Sequence, residues 1–266
     1  MIDGFVALPQ KFLNQAELSM FEELLKSPET LVTPVIHVLD AGQALRNLDI
    51  VGTAGCPGAF LINHDFAMEP FLAILQEVRT ARADMWLGVN FLAQPGDVAF
   101  PVLGNLARAG HVFQAYWADD ARIDERQTAQ EEAENIARIR VECGWDGLYF
   151  GGVAFKKQRP VDADAWFDAA RLAVPYVDVV TTSGVATGHE PGLRKVESFR
   201  EAIDEAPLAL ASGITPENAH LYCASVDCFL VATGINLRGD FYNIDPDRLG
   251  ELLAVTRSQG ECKWTT

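Results

Sequence analysis

The sequence predicts a single (β/α)8 TIM barrel with one extra helix at its N-terminus, and three observations lead there. Eight short apolar, β-branched runs recur along the 266 residues, separated by polar or glycine-rich turns and amphipathic stretches. Such alternation is the pattern of parallel strands joined by helical crossovers. No run is followed by Gly-x-Gly-x-x-Gly or by Gly-x-x-x-x-Gly-Lys-Ser/Thr, which argues against a doubly wound dinucleotide fold and against a triphosphate loop. Finally, no Gly/Ser-rich or Pro-rich linker divides the chain. One domain over residues 1–266 is expected, with a helical extension at 1–30, the barrel at 31–258 and a tail at 259–266.

The extension holds a helix at residues 15–26. Asn14 and Glu17 are spaced as a capping box, and Leu13, Phe21, Leu24 and Leu25 offer apolar contacts. This helix either closes the bottom of the barrel or packs on a neighbouring subunit. Strands are expected at residues 34–39, 59–62, 85–91, 112–116, 147–150, 177–181, 208–211 and 228–231. Between the second and third, Met68, Phe71, Leu72, Leu75 and Val78 recur at three-four spacing, as do Ala129, Ala133, Ile136 and Ile139 between the fourth and fifth. Each set lays an apolar stripe on the barrel. Gly55, Gly110 and Gly144 each follow a helix, at the left-handed position where a Cβ is costly. The last helix takes Asp245 as N-cap and Pro246 in its first turn, and runs to about Arg257.

Charge narrows the partners. Lys and Arg total 21 against 37 Asp and Glu, a formal charge of −16, which repels the phosphates of nucleic acid and of anionic membranes. No apolar run approaches the roughly 18 residues of a membrane helix. The start, Met1-Ile2-Asp3-Gly4, lacks a basic region followed by an apolar one. A cytoplasmic protein with a small-molecule substrate is the expectation, and a homo-oligomer is the base-rate one. The five cysteines, Cys56, Cys143, Cys223, Cys228 and Cys262, read as reduced thiols without zinc-site spacing. No cofactor or metal motif appears. A divalent cation such as magnesium requires Asp40, Asp65, Asp119 and Asp120 to converge.

In a barrel the chemistry gathers at the C-terminal ends of the strands, and a phosphate commonly sits in the loops after the seventh and eighth. Here those loops are Ser212-Gly213-Ile214-Thr215-Pro216 and Thr233-Gly234. Their glycines let backbone N–H groups approach an anion, and Thr215 with Pro216 is expected to start a helix whose positive end faces it. Arg238 is the nearby cation. The same glycines also serve any tight strand-to-helix turn. After the sixth strand, Thr187 and Gly188 lie in a small-residue loop suited to substrate hydroxyls, or simply to the surface. After the second, His64 and Asp65 form a candidate acid/base pair, with Asp65 alternatively the N-cap of the next helix. His37 and Asp40 are placed near the mouth by the first strand, where a histidine also serves as a hydrogen-bonded core residue. Asn90 ends the third strand, and Tyr116-Trp117-Ala118-Asp119-Asp120 forms an aromatic and acidic rim on the fourth. After the fifth come Lys156 and Lys157, which cannot both point inward. Lys156 is the candidate electrophile or base, a solvated loop lysine being the alternative.

The segments Thr182-Ser183-Gly184-Val185-Ala186-Thr187-Gly188, Ala211 to Asn218, Asp227 to Gly234 and Asn243 to Arg248 together resemble the BtpA/SgcQ family, most clearly over residues 176–256. Val35-Ile36-His37, Asn63 to Phe71 and Gly88-Val89-Asn90 echo its first three strands. The resemblance implies a barrel of the ribulose-phosphate-binding type, with phosphate at Ser212, Gly213, Thr233 and Gly234. The chain departs from the family pattern in several places. Val38-Leu39-Asp40-Ala41-Gly42 replaces Pro-Leu-Pro-Gly, and Ile62-Asn63 stands where Glu-Asn is usual. Gln114-Ala115-Tyr116 replaces Arg-Val-Asn, and Lys156-Lys157 replaces Lys-His. These differences mark a divergent member. Two functions follow as expectations. One is an enzyme acting on a phosphorylated sugar or nucleoside-like metabolite by isomerisation, aldol-type cleavage or glycosidic cleavage. The other is a non-catalytic assembly factor of the kind the resemblance links to photosystem I biogenesis.

Overall fold

The computed structural model describes residues 15–156, 158–184, 188–189 and 191–263. Eight parallel strands close a barrel in sequence order, β8 pairing with β1. They are β1 (Leu31–His37), β2 (Gly58–Ile62), β3 (Trp86–Asn90), β4 (Ala115–Ala118), β5 (Leu148–Gly152), β6 (Val179–Ser183), β7 (Leu208–Ala211) and β8 (Cys228–Val231). Helix α1 (Gln15–Leu25) precedes them. Strands β1 to β7 are joined by α2 (Ala41–Thr53), α3 (Met68–Ala81), α4 (Gly96–Arg108), α5 (Glu131–Cys143), α6 (Trp166–Ala173) and α7 (Leu193–Ile203), and α8 (Pro246–Lys263) follows β8. The expected (β/α)8 class is the one found.

Differences from the expected elements have local causes. Strand β1 begins at Leu31 because Leu31–Pro34 pair with Cys228–Val231, whereas Val35 to His37 pair with Phe60 to Ile62. That stagger is the shear needed to close a barrel. Between β7 and β8 the expected α-helix at Thr215-Pro216 is replaced by turns and a 3₁₀ turn at Ala219–Leu221. Asn218 is the reason: its Oδ1 accepts from Thr215 N at 2.8 Å while its Nδ2 donates to Gly213 O at 2.8 Å, closing a side-chain-mediated turn. Helix α8 passes Arg257 and reaches Lys263. Gly260 admits the α1–β1 connection, since a Cβ there would lie 3.0 Å from Glu29 Cα. Gly55, Gly110 and Gly144 take the expected left-handed conformation, with φ of +84°, +88° and +72°.

Strand alternation sorts the apolar residues into two cores. One face of each strand packs under the helices; the other fills the barrel with Val35, Phe60, Trp86, Trp117, Leu148 and Phe150. Helix α1 belongs to the inner core. Phe21, fully buried, stacks on Trp86 with centroids 3.9 Å apart and meets Phe150 edge-on at 6.4 Å. Because Trp86 opens β3 and Leu148 opens β5, α1 closes the N-terminal end of the barrel. The open end is therefore the one where the strands terminate. Cys56, Cys143 and Cys228 are free thiols, Cys223 Sγ donates to Ala219 O at 3.3 Å, and the side chain of Cys262 lies outside the described residues. Among the described residues no helix is long and apolar enough to cross a membrane.

Candidate functional site

A narrow cleft opens at the C-terminal mouth, with Val35, Ile62 and Leu230 in its walls and polar groups from six of the eight strand ends. His37, His64, Trp117, Asp119, Lys156, Gly188, Ser212, Gly213, Ile214, Thr233 and Gly234 all line it. The period of two places them there: Val35 and His37 share the inner face of β1, as Trp117 and Asp119 share that of β4. Most of the expected site residues thus meet in one cavity. Thr187 lies outside the described residues.

The β7 and β8 loops form one wall. Ser212 and Gly213 are both left-handed, with φ of +79° and +73°, so the chain doubles back as it leaves β7. The two loops touch. A Cβ on Gly234 would sit 1.8 Å from Ile214 O, so only glycine lets the loops approach this closely. Their outer carbonyls are pinned, Gly213 O by Asn218 and Gly234 O by Arg248 Nε at 3.0 Å. Arg248 also pairs twice with Glu217 at 3.1 Å, which ties α8 to the β7 loop. Among the described residues, no hydrogen bond uses the amide N–H of Ser212, Gly213, Ile214, Thr233 or Gly234.

Charge reaches this wall from across the mouth, by a route the sequence reading missed. Lys156 N donates to Ser183 Oγ at 2.9 Å, and its Nζ donates to Ser212 Oγ at 2.7 Å. The cation at the β7 loop is therefore Lys156, while Arg238, the expected one, does not line the cleft. No α-helix starts after β7 to lend a dipole either, so unpaired amides and this ammonium are what an anion would meet.

Next to this wall, at the ends of β1 and β2, lie two imidazoles. His37 Nδ1 donates to Phe241 O at 3.0 Å, a carbonyl being able only to accept, which leaves Nε2 as the acceptor nitrogen of the neutral ring. The ring stacks on Phe241 at 3.8 Å and lies 5.6 Å from His64. Burial lowers the His37 pKa to about 4, helped by His64 and Lys156 and opposed by the Phe241 carbonyl and Asp65. His64 Nδ1 lies 3.8 Å from Asp65 Oδ1, and Asp65 accepts from Tyr242 OH at 3.0 Å. Asp65 is not the cap of α3, whose N-cap is Ala67. Asp40, expected near the mouth, instead caps α2 by accepting from Gln43 N at 2.7 Å.

At the base of the cleft, Asn90 Nδ2 donates to Asp119 Oδ1 at 3.2 Å. Asn90 Oδ1 and Trp117 Nε1 are buried polar atoms without a partner. The acidic residues do not converge. Asp120 accepts from Arg122 N, and among the described residues no group of three or more His, Cys, Asp or Glu is placed to hold a metal ion. Phe241 and Tyr242 are the site residues that sequence reasoning did not single out. Asp119, expected on the rim of the fourth strand, lines the cleft with Trp117 at its two-residue spacing. The Phe241-Tyr242 pair carried no signal, because a long loop brings it back over β1.

No family model matches this chain, and no curated protein does. Several solved structures match across nearly its whole length. Tryptophan synthase subunit alpha from Legionella pneumophila is 14% identical over 93% of this chain and 97% of its own, with a TM-score of 0.61. GGGPS from Thermoplasma volcanium is 13% identical over 91% and 97%, with a TM-score of 0.62. Phosphoribosyl anthranilate isomerase from Thermus thermophilus is 15% identical over 86% and 99%, with a TM-score of 0.56. Identities this low speak to architecture alone. On closure, strand order and these likenesses together, the chain is a TIM barrel.

Proposed function

We propose that the protein is an enzyme acting on a phosphorylated sugar or nucleoside-like metabolite, by isomerisation, aldol-type cleavage or glycosidic cleavage. The observation that carries this reading is Lys156 Nζ at 2.7 Å from Ser212 Oγ, a cation brought to a glycine loop with unpaired amides. A phosphate there would accept from Lys156, the Ser212 hydroxyl and the N–H groups of Gly213, Ile214, Thr233 and Gly234, a charge-assisted set. Lys156 then serves as anion holder rather than as electrophile or base. Gly188 allows the β6 loop to approach the same group.

The rest of the cleft suits a polyhydroxylated body. His37 Nε2 accepts a hydroxyl proton, and Thr233 and Ser212 bring hydroxyls to the same cleft. His64 with Asp65 on one side and Asp119 on the other flank the space where a proton is moved between substrate atoms. The resemblance to the BtpA/SgcQ family points to the same kind of ligand. One of the solved barrels, by its name an isomerase of a phosphoribosyl compound, shares the fold.

The test is a thermal-shift series with ribose 5-phosphate, inorganic phosphate and ribose, each read against sodium chloride at matched ionic strength, on the wild type, Gly213→Asp and Lys156→Met. A ligand at 100 times its Kd stabilises by about 2.7 kcal/mol, or several degrees at this length. The phosphorylated compounds should raise Tm and ribose should not, and both variants should lose the shift. No shift with any phosphorylated compound, or a shift retained in both variants, would overturn the phosphate site.

A further inference from the structure

A second cavity, of about 310 Å³, lies beside the mouth between the β5 and β6 loops. Among the described residues its walls are largely apolar, with Phe155, Pro160, Val161 and Trp166, and its one buried cation is Lys195. Lys195 sits in the first turn of α7 on the stripe Lys195-Phe199-Ile203, a lysine at a core-facing position. It is 9% exposed. Its Nζ donates to Ala154 O at 2.6 Å and Ser183 O at 2.8 Å, and lies 6.0 Å from the Trp166 ring and 5.8 Å from that of Phe199. No carboxylate of the described residues pairs with it.

These contacts leave one position of the nitrogen open. Of its four tetrahedral positions, one is Cε and two are N–H bonds held by carbonyls, which can only accept. The fourth is unused. In the ammonium it is a proton without a partner; in the neutral amine it is the lone pair, with both hydrogens still bonded. Apolar walls and the missing counter-charge favour the neutral form, and burial lowers this lysine to about 8. At pH 7 about a tenth of such an amine is neutral, against less than a thousandth for an exposed lysine.

We propose that this cavity is a second ligand site, in which Lys195 Nζ condenses with a small aldehyde or ketone whose apolar body packs on Trp166, Val161 and Phe155. The lone pair forms the N–C bond while the carbonyl π pair moves to oxygen and takes a proton, giving a carbinolamine. Loss of that hydroxyl as water, with a proton supplied from solvent, gives the protonated imine; no oxidant or reductant is needed. The imine nitrogen keeps one hydrogen for the buried Ser183 carbonyl, and the half-buried Ala154 carbonyl turns to water. Lys156 lines both cavities, but the imine step uses no residue of the mouth reading, so either can fail without the other.

The chain has six lysines, so adducts are easily assigned. The full-length protein is treated with benzaldehyde or formaldehyde and cyanoborohydride from pH 6 to pH 10, and each lysine's rate is read by peptide mass spectrometry. With benzaldehyde at pH 7, Lys195 should react about tenfold or more faster than the exposed Lys26, its rate levelling off near pH 8. The Lys195-to-Lys26 ratio should fall with formaldehyde, which has no body for the cavity to hold. Excess inorganic phosphate should leave the Lys195 rate unchanged, which separates this site from the mouth. If Lys195 reacts no faster than Lys26, it is only a staple between two loops, and an equal ratio for both aldehydes removes the ligand cavity.

Discussion

His37 shows what burial does to a single titrating residue. Its imidazole titrates at about 6.5 in the unfolded chain and about 4 in the barrel, chiefly because burial disfavours the charged ring. Between those values the unfolded chain binds more protons, so this group's contribution is complete above pH 6.5 and is lost as pH falls through 4. The loss amounts to about 3 kcal/mol. Urea denaturation at pH 7.5 and pH 5 should show about 2 kcal/mol of it for the wild type, with a flatter dependence for His37→Asn; equal pH dependence would place the titration elsewhere. Lys156 offers a second residue-scale outcome. Lys156→Met should weaken inorganic phosphate roughly 10–100-fold, the worth of a charge-assisted hydrogen bond of about 1.5–3 kcal/mol, measurable by calorimetry. Both residues were legible in the sequence as titratable groups at strand ends. Their partners were not: the Phe241 carbonyl and Ser212 hydroxyl lie 204 and 56 positions away. Lys195 went unread because one lysine in an apolar stripe resembles an ordinary helix lysine until its neighbours are known.

Elements differ in how far they declare themselves. β7 and β8 were legible to the residue, being uniformly apolar runs bounded by turn residues, as a strand buried on both faces should be. The start of β1 was not, because Leu31 to Thr33 owe their strand state to pairing with β8, at the far end of the chain. The missing helix after β7 fails for the opposite reason: Thr215-Pro216 is a sound helix start, yet Asn218 ties both sides of the turn first. Helix α1 had two readings, and the stacking of Phe21 on Trp86 selects the barrel plug. Phe21→Ala should therefore cost about 3–5 kcal/mol in urea denaturation, the cost of a large buried ring, and should alter Trp86 fluorescence. A loss below about 1 kcal/mol would mean the barrel bottom tolerates an open end. Gly234→Ala tests the contact between the β7 and β8 loops. With backbone 1.8 Å from the new Cβ, the loops must separate, and phosphate-dependent stabilisation should fall even where the variant stays folded.

For the whole molecule the governing quantity is charge. At −16 and a pI near 4.6, acidic groups repel one another across the surface at neutral pH. Added salt shortens the screening length from about 30 Å at 0.01 M to about 8 Å at 0.15 M, so Tm should rise with sodium chloride whether or not anything binds. Phosphate screens in the same way. If the mouth also holds it, an increment of RT ln(1 + [L]/Kd) is added, and that part saturates where screening does not. The difference in Tm between sodium phosphate and sodium chloride at matched ionic strength therefore isolates the cleft from the surface. Lys156→Met, which takes the charge from −16 to −17, should steepen the chloride dependence slightly and abolish the phosphate-specific difference. Glu131→Gln, on the outer face of α5, should do the reverse: a shallower chloride dependence with the phosphate difference intact. Should the phosphate increment track net charge in both variants, the anion is reading the surface field and not the cradle between the β7 and β8 loops.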